Sequence, residues 1–274
     1  KVMPYRFHPT KRGLYKLAAE KAAELAGVQF KIWRDATLLG DYTTDENDTA
    51  PVTAAAKTRP QSGLARLWLD CLLAMPWNKL YRTAYARQVQ FDKQYTLGED
   101  LQFVLDYVEL LGKITPDFAY TALTAPLTFY DCSRGGTLST RYHADYCKIW
   151  PEHFAKLNRA CNAAHCPQED MRRLRRAELT VFAEGVADIL RRDPAKSARV
   201  RRDKAIAALR SPWMHALLER MKIEGAYSAY YLPCRWHSTR LIWALAEAKR
   251  TGSPLYGKLD WAGYYLLRGK MRRD

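Results

Sequence analysis

Two neighbouring carboxylic acids, Glu99 and Asp100, stand where a helix is expected to begin. The residues after them are apolar at intervals of three and four, which predicts an amphipathic helix over 99–111. Free backbone N–H groups and the helix dipole stabilise a carboxylate at such a position, so it stays ionised at neutral pH and can accept a proton from a hydroxyl group. The alternative is that the pair is only an N-cap residue followed by a first-turn acid, which is the usual role of acids there.

A second group of chemically capable side chains lies in Trp77–Arg82, directly after a proline. Because a proline marks the boundary of a secondary-structure element, a new element is expected to begin there with a turn. The Asn78 side chain would stabilise this turn by a hydrogen bond to its backbone. Lys79 and Arg82 are three residues apart. A helical turn would therefore point both cations to one side, where a phosphate group could bind.

The order and spacing of these segments resemble the bacterial family 2 glycosyltransferases of the GT-A fold, particularly those of capsular and exopolysaccharide synthesis. The matching segments are Trp77–Arg82, Phe91, Gly98–Phe103, Phe129–Tyr130 and Arg134–Thr140. The likeness extends loosely over residues 9–192. It implies an α/β fold, in which residues 1–148 form the C-terminal, acceptor-binding part of a Rossmann-like GT-A domain. Residues 149–274 would form a basic, mostly helical region.

The resemblance implies transfer of a sugar from a nucleotide-sugar donor to a glycan or lipid-linked acceptor in surface polysaccharide synthesis, with inversion at the anomeric carbon. Asp100 would be the base that takes the proton of the acceptor hydroxyl, and Glu99 would orient the acceptor or the loop. The cations would screen the donor diphosphate, and the aromatic rings would pack on a sugar unless they belong to the core. The implied substrate-binding residues are Trp77, Asn78, Lys79, Tyr81, Arg82, Arg134 and Ser139.

Similar enzymes hold a divalent cation, Mg²⁺ or Mn²⁺, through an Asp-x-Asp motif that lies in a nucleotide-binding segment before the matching region. This chain contains no Asp-x-Asp, and its densest acidic cluster, residues 45–48, is expected to be a solvated loop. We therefore expect an incomplete copy of a longer enzyme, and an inactive fragment is the alternative to a working transferase.

Periodicity and boundary residues predict the remaining elements. Strands are expected at 28–33 and 125–132, a loop at 36–62, and helices at 10–26 and 63–75. The pattern is helical from residue 150 onward, and prolines separate the elements there. The helices predicted in this part span 151–165, 167–192, 195–210, 212–224 and 238–250.

Positive charge is concentrated in the second half of a chain whose formal net charge is +15. Residues 151–274 carry 25 Lys and Arg against 13 Asp and Glu, whereas residues 1–150 carry 19 against 16. Such a surplus attracts an anionic membrane surface or nucleic acid, unless it only forms a solvated helix face. The resemblance favours the membrane, with interfacial aromatic residues, unless these belong to the core, at Trp213, Trp236, Trp243, Trp261, Tyr264 and Tyr265. The alternative is a non-enzymatic helical module that binds nucleic acid through residues 170–210, although no recognition-helix motif stands out.

The six cysteines are scattered and are expected to be reduced and mostly buried. A tetrahedral zinc site is an alternative, although the order of its ligands matches no known zinc module. Its ligands would come from His143, Cys147, Cys161, His165 and Cys166.

No run of about eighteen apolar residues occurs, so no membrane-spanning helix is expected. The expected location is the cytoplasm, with peripheral attachment to the inner face of the membrane.

Overall fold

Strands occur only in the first half of the described chain, and helices make up most of it. The computed structural model describes residues 30–35, 56–76, 79–95, 97–128 and 141–270. All strands assigned in these ranges lie before residue 129. The predicted α/β, Rossmann-like class is therefore wrong, and the protein is mostly helical. A Rossmann-like fold alternates strands and helices around a mainly parallel sheet, whereas here the helices from residue 146 onward follow one another without strands between them.

The described strands form one four-stranded mixed sheet in the order β2-β4-β1-β3, in which only β4 and β1 are parallel. The prediction of a strand at β1 is confirmed. The strand predicted at 125–132 begins earlier, at Ala119, and residues 129–132 lie outside the described residues. Pro126 lies inside the strand, opposite Arg34, where the register shifts. The bounds are Phe30–Asp35 (β1), Ala56–Pro60 (β2), Lys79–Tyr81 (β3) and Ala119–Thr128 (β4).

Two of the strands were predicted as other structures. Strand β2 and the first two residues of a short 3-10 helix, Gln61–Gly63, fall in the predicted loop, and β3 replaces the predicted turn after Pro76. Both strands are short and pair with residues far away in the sequence, since Tyr81 lies opposite Phe30 and β2 pairs with β4. A strand of three to five residues is too short to show a periodic pattern of apolar residues, so the sequence did not reveal either strand.

The described residues divide into two compact units. The first comprises the described residues from 30 to 128 together with Lys156–Cys166, and the second comprises Arg141–Ala155 and the described residues from Pro167 onward. The domain boundary predicted at residue 148 stays a prediction. The helix predicted at 10–26 lies outside the described residues.

Three helices belong wholly to the first unit: Leu64–Leu69 (α1), Thr83–Ala86 (α2) and Glu99–Ile114 (α3). Helix α1 ends before the predicted residue 75, whereas the prediction of a helix at α3 is confirmed. The apolar stripe of α3 is buried and forms part of the core of this unit, so the helix is held by packing along most of its length. The stripe consists of Leu101, Val104, Leu105, Val108 and Leu111.

The second unit is helical. The predicted bounds of three of its helices, α5, α7 and α9, are confirmed to within one residue, because the prolines and polar residues that end helices act locally. None of the described helices is long and apolar enough to cross a membrane. The helices from residue 146 onward are Tyr146–Ala163 (α4), Gln168–Arg192 (α5), Ala198–Leu209 (α6), Pro212–Glu224 (α7), Tyr231–Arg235 (α8), Thr239–Arg250 (α9) and Pro254–Lys270 (α10). The last part of α4, from Lys156, clusters with the first unit.

The arginines of α5 bind acids inside the second unit. Arg175 is buried and forms an ion pair with Glu178, at 3.1 Å between Nη1 and Oε2, and a longer one with Glu224, at 3.6 Å. Arg176 binds Asp260 of α10 at 2.5 Å between Nη2 and Oδ2. Much of the basic character of this helix is therefore compensated by neighbouring acids.

A second ionic cluster forms around the buried Asp193, just after α5. The Lys204 ammonium donates to both carboxylate oxygens, at 2.9 and 2.8 Å, and the Tyr142 hydroxyl donates at 2.7 Å. The Ala195 N–H adds a bond of 2.9 Å. These bonds, with the Lys204 bond as the largest cause, lower the pKa of Asp193 to about 2. The cluster fixes the turn that joins α5 to α6.

Candidate functional site

Helix α3 begins directly after Gly98, whose backbone is left-handed with φ of 78°. Glycine adopts this conformation without the steric penalty that other residues incur. Glu99 and Asp100 are the first two residues of α3, so neither acid is the N-cap residue that the capping alternative required. Both carboxylates lie in the first turn, where the backbone N–H groups have no partner within the helix.

The Asp100 carboxyl is half-buried, and its pKa is raised to about 6. Burial is the largest cause, because removal from water disfavours the charged form; the charge of Glu99 adds to the rise, and Lys79 opposes it. Burial therefore outweighs the stabilisation that the helix terminus is expected to give this carboxylate. At neutral pH most of Asp100 is still ionised, and a carboxyl group with a pKa near neutrality is well matched to accept a proton.

Lys79 lies in strand β3 and is only 5% exposed. Its ammonium donates hydrogen bonds to the carbonyl groups of Leu72, at 2.6 Å, and Met75. Burial lowers the pKa of Lys79 well below its usual value, and the charge of Asp100 opposes this. The predicted helical turn is thus absent, and Lys79 is buried whereas Arg82 is exposed. The two cations are therefore not placed together to bind a phosphate group.

An aromatic cluster joins this strand to α3. The Tyr81 ring meets the rings of Phe103 and Tyr107 edge-on, with centroids 5.5 and 4.9 Å apart. Phe91 stacks on Phe103 at 4.3 Å. The Tyr107 hydroxyl also accepts a hydrogen bond of 3.0 Å from the backbone N–H of Arg82. The cluster fixes the end of β3 against the first turns of α3, and Tyr81 and Phe103 take part in protein packing.

Comparisons with known proteins leave this arrangement without a named counterpart. No family model, no curated protein and no solved structure matches the chain.

The structure brings some of the predicted site residues together and leaves others unplaced. Asp100, Glu99 and Lys79 are electrostatically coupled, and Tyr81 and Arg82 are attached to the same helix through Tyr107. The predicted site residues Trp77, Asn78, Arg134 and Ser139 lie outside the described residues.

The sequence analysis did not predict Tyr107, whose hydroxyl accepts a hydrogen bond from the Arg82 backbone and whose ring contacts Tyr81. Its position four residues after Phe103, on the same side of the helix, was the available signal.

A separate cleft of about 530 Å³ lies along the C-terminal half of α3 within the first unit. Its wall is partly apolar, from Leu105 and Val108, and Lys113 and Lys156 lie at its edge. Lys113 is paired with Glu109 at 2.9 Å and Lys156 with Asp106 at 2.5 Å, so neighbouring acids already compensate these cations. None of the predicted site residues in the described ranges lines this cleft.

No group of three or more His, Cys, Asp or Glu residues in the described ranges could hold a metal ion. The zinc alternative gains no support within the same ranges, and His143 and Cys147 fall in the second unit whereas Cys161, His165 and Cys166 fall in the first.

Proposed function

We propose that the protein is a glycosyltransferase in which Asp100 removes the proton from the hydroxyl group of a sugar or lipid-linked acceptor. The observation that carries the proposal is the half-buried Asp100 carboxyl, whose pKa is raised to about 6, at the first turn of α3. A general base works best when its pKa lies near the working pH. The proposal rests on this site and on the resemblance of its segments, and not on the fold class.

The reaction proposed is an inverting displacement. The acceptor oxygen forms a bond to the anomeric carbon while its proton passes to a carboxylate oxygen of Asp100. The bond between the anomeric carbon and the diphosphate oxygen breaks, and its electron pair leaves with the nucleoside diphosphate. Glu99 raises the pKa of Asp100 and thereby makes it a stronger base, and Lys79 moderates that rise. The exposed Arg82 is the described cation we assign to the anionic donor.

The fixed geometry of β3 and α3 supports the assignment of Asp100 as the base. The Lys79 ammonium is tied to two carbonyl groups, and the ring of Tyr81 is packed between α3 side chains. A base on a rigid helix with fixed, buried neighbours needs little reorganisation when the acceptor binds, which favours transfer of the proton. The same proposal carries the expectation of a cytoplasmic protein attached peripherally to a membrane.

The test measures release of nucleoside diphosphate from a panel of nucleotide sugars, with Mg²⁺ or Mn²⁺ and candidate acceptors present. Asp100→Asn is expected to lower the rate by about 10²- to 10⁴-fold, the usual contribution of a general base. Asp106→Asn is the matched control, since Asp106 is an acid on the same helix that is paired with Lys156. Retained activity in Asp100→Asn, an equal loss in Asp106→Asn, or no turnover of any donor by the unaltered chain would contradict the proposal.

The alternative, a nucleic-acid-binding module built on residues 170–210, has less support. Duplex binding depends on cations that are free to replace the counterions of phosphates. On α5, Arg175 and Arg176 are instead bound to acids, and Arg191 is bound to Glu247 at 2.8 Å. Steeply salt-dependent binding to unrelated duplexes, unchanged in Asp100→Asn, would favour this alternative.

A further inference from the structure

The last described helix, α10, is attached to its unit through polar contacts. Asp260 binds Arg176 at 2.5 Å and accepts a hydrogen bond of 2.9 Å from the Ala229 N–H. The Arg176 guanidinium also lies over the ring of Tyr264, at 4.6 Å from its centroid. These contacts define the side of α10 that faces the protein.

Close backbone packing fixes the same side. A Cβ atom at Gly263 would lie 3.1 Å from the carbonyl oxygen of Ser228, a tighter contact than side chains normally make. Gly263 follows Asp260 by three residues and precedes Tyr264, so the three residues share one side of the helix. The glycine therefore lets α10 approach the Ser228 backbone, and the orientation of the helix is well determined.

The opposite side of α10 is apolar and faces solvent. Leu255 is 55% exposed, Trp261 62% and Tyr265 53%, and the rings of Trp261 and Tyr265 lie 4.8 Å apart. Lys258 is exposed between them, and these positions recur at intervals of three and four. An ordinary surface helix buries its apolar side and exposes its polar one. In this helix the acid Asp260 points inward, whereas Trp261 and Tyr265 point outward.

Charge indicates what covers this surface. The sequence 254–270 contains one acid, Asp260, which is bound to Arg176, so the outward side carries Lys258 and no negative charge. Four cations, Arg268, Lys270, Arg272 and Arg273, follow in the sequence, and the chain as a whole has a net charge of +15. Tryptophan and tyrosine interleaved with lysine are typical of the boundary between lipid headgroups and acyl chains.

We propose that the outward side of α10, formed by Leu255, Lys258, Trp261 and Tyr265, docks on an anionic lipid bilayer surface. The three apolar residues enter the headgroup region, and Lys258 binds lipid phosphate or carboxylate groups. The helix lies in the plane of the surface and is held there by the protein, because Asp260 and Gly263 fix its opposite side. This inference does not depend on Asp100 or on any sugar substrate.

The experiment measures flotation of the protein with phosphatidylcholine vesicles that contain or lack phosphatidylserine. Binding is expected only with the anionic vesicles and should weaken with added salt. Trp261→Ser is expected to weaken it by about tenfold or more, because the indole no longer leaves water. The matched control is Ile223→Ser on α7, which removes a side chain that is 82% exposed on a different helix.

Several results would overturn the proposal. They are equal binding to neutral vesicles, equal loss of binding in Trp261→Ser and Ile223→Ser, and no binding to either kind of vesicle. Light scattering on the same samples tests whether a second copy of the chain, and not a membrane, covers this surface. A dimer that dissociates in Trp261→Ser would show that this surface joins two copies instead. Unchanged circular dichroism and thermal unfolding of the variant exclude misfolding as the cause.

Discussion

Replacement of Asp100 by asparagine should stabilise the protein at neutral pH. The folded state raises the pKa of this carboxyl from 3.8 to about 6, mainly through burial, so ionisation is less favourable in the folded chain than in the unfolded one. A tenfold change in an ionisation constant corresponds to about 1.4 kcal/mol, which gives an upper limit of about 3 kcal/mol. Because the side chain is only half-buried and water screens it, we expect about 1–2 kcal/mol.

The pH dependence identifies the origin of this gain. Between about pH 4 and 6 the folded state binds more protons at Asp100 than the unfolded state, so the free energy of unfolding falls as pH rises through this window. Asparagine does not ionise and shows no such fall. The variant should therefore match the unaltered protein below about pH 4 and exceed it in stability above about pH 6.

The assay is urea unfolding at several pH values, combined with hydrogen exchange of the α3 amides, because a chain with two compact units need not unfold in one step. A stability difference that stays constant with pH, or a less stable variant at pH 7.5, would refute the reasoning. Glu99→Gln is the control, since it removes a neighbouring negative charge. It should lower the pKa of Asp100 in an NMR titration.

Three further predictions follow from the ionic contacts. Lys79→Met should raise the pKa of Asp100 above 6 in the same titration, because it removes the opposing positive charge. Arg175→Ala should lower the free energy of unfolding in urea by about 3–5 kcal/mol by leaving Glu178 buried and charged, whereas the exposed Arg173→Ala should change it by less than about 1 kcal/mol. Asp193→Asn should destabilise the protein at neutral pH, and its difference from the unaltered chain should shrink as denaturation is measured at pH values from about 4 towards 2.

The helices that sequence reasoning located well are those whose signals are local. The boundary of α5 follows Pro167, and α7 begins at Pro212 after a serine that caps it. A helix hydrogen-bonds to itself, so a window of ten to twenty residues holds most of the information that defines it. The fold class could not be predicted in this way. The resemblance supplied an α/β fold, but the proportion of helix to strand depends on every segment of the chain.

In the candidate site, too, the local feature was predicted and the long-range one was not. The sequence predicted that α3 begins at Glu99, directly after Gly98, but it did not predict the raised pKa of Asp100. The pKa of Asp100 depends on burial and on Lys79, which lies twenty-one positions earlier in a strand held by pairing with β1. The expected phosphate-binding role of Lys79 with Arg82 assumed a helical turn. Instead, Lys79 is buried in strand β3, and Arg82, which directly follows the strand, is exposed.

The sequence alone determined the basic second half, the helical periodicity beyond residue 150 and the acids at the start of α3, because composition and local spacing specify these properties. Only the tertiary structure decided which charges are used internally and which remain on the surface. The arginines of α5 bind acids on other helices, and the outward side of α10 is set by contacts of Asp260 with Arg176 and Ala229. Burial and long-range pairing depend on residues distant in the chain, and no local pattern contains them.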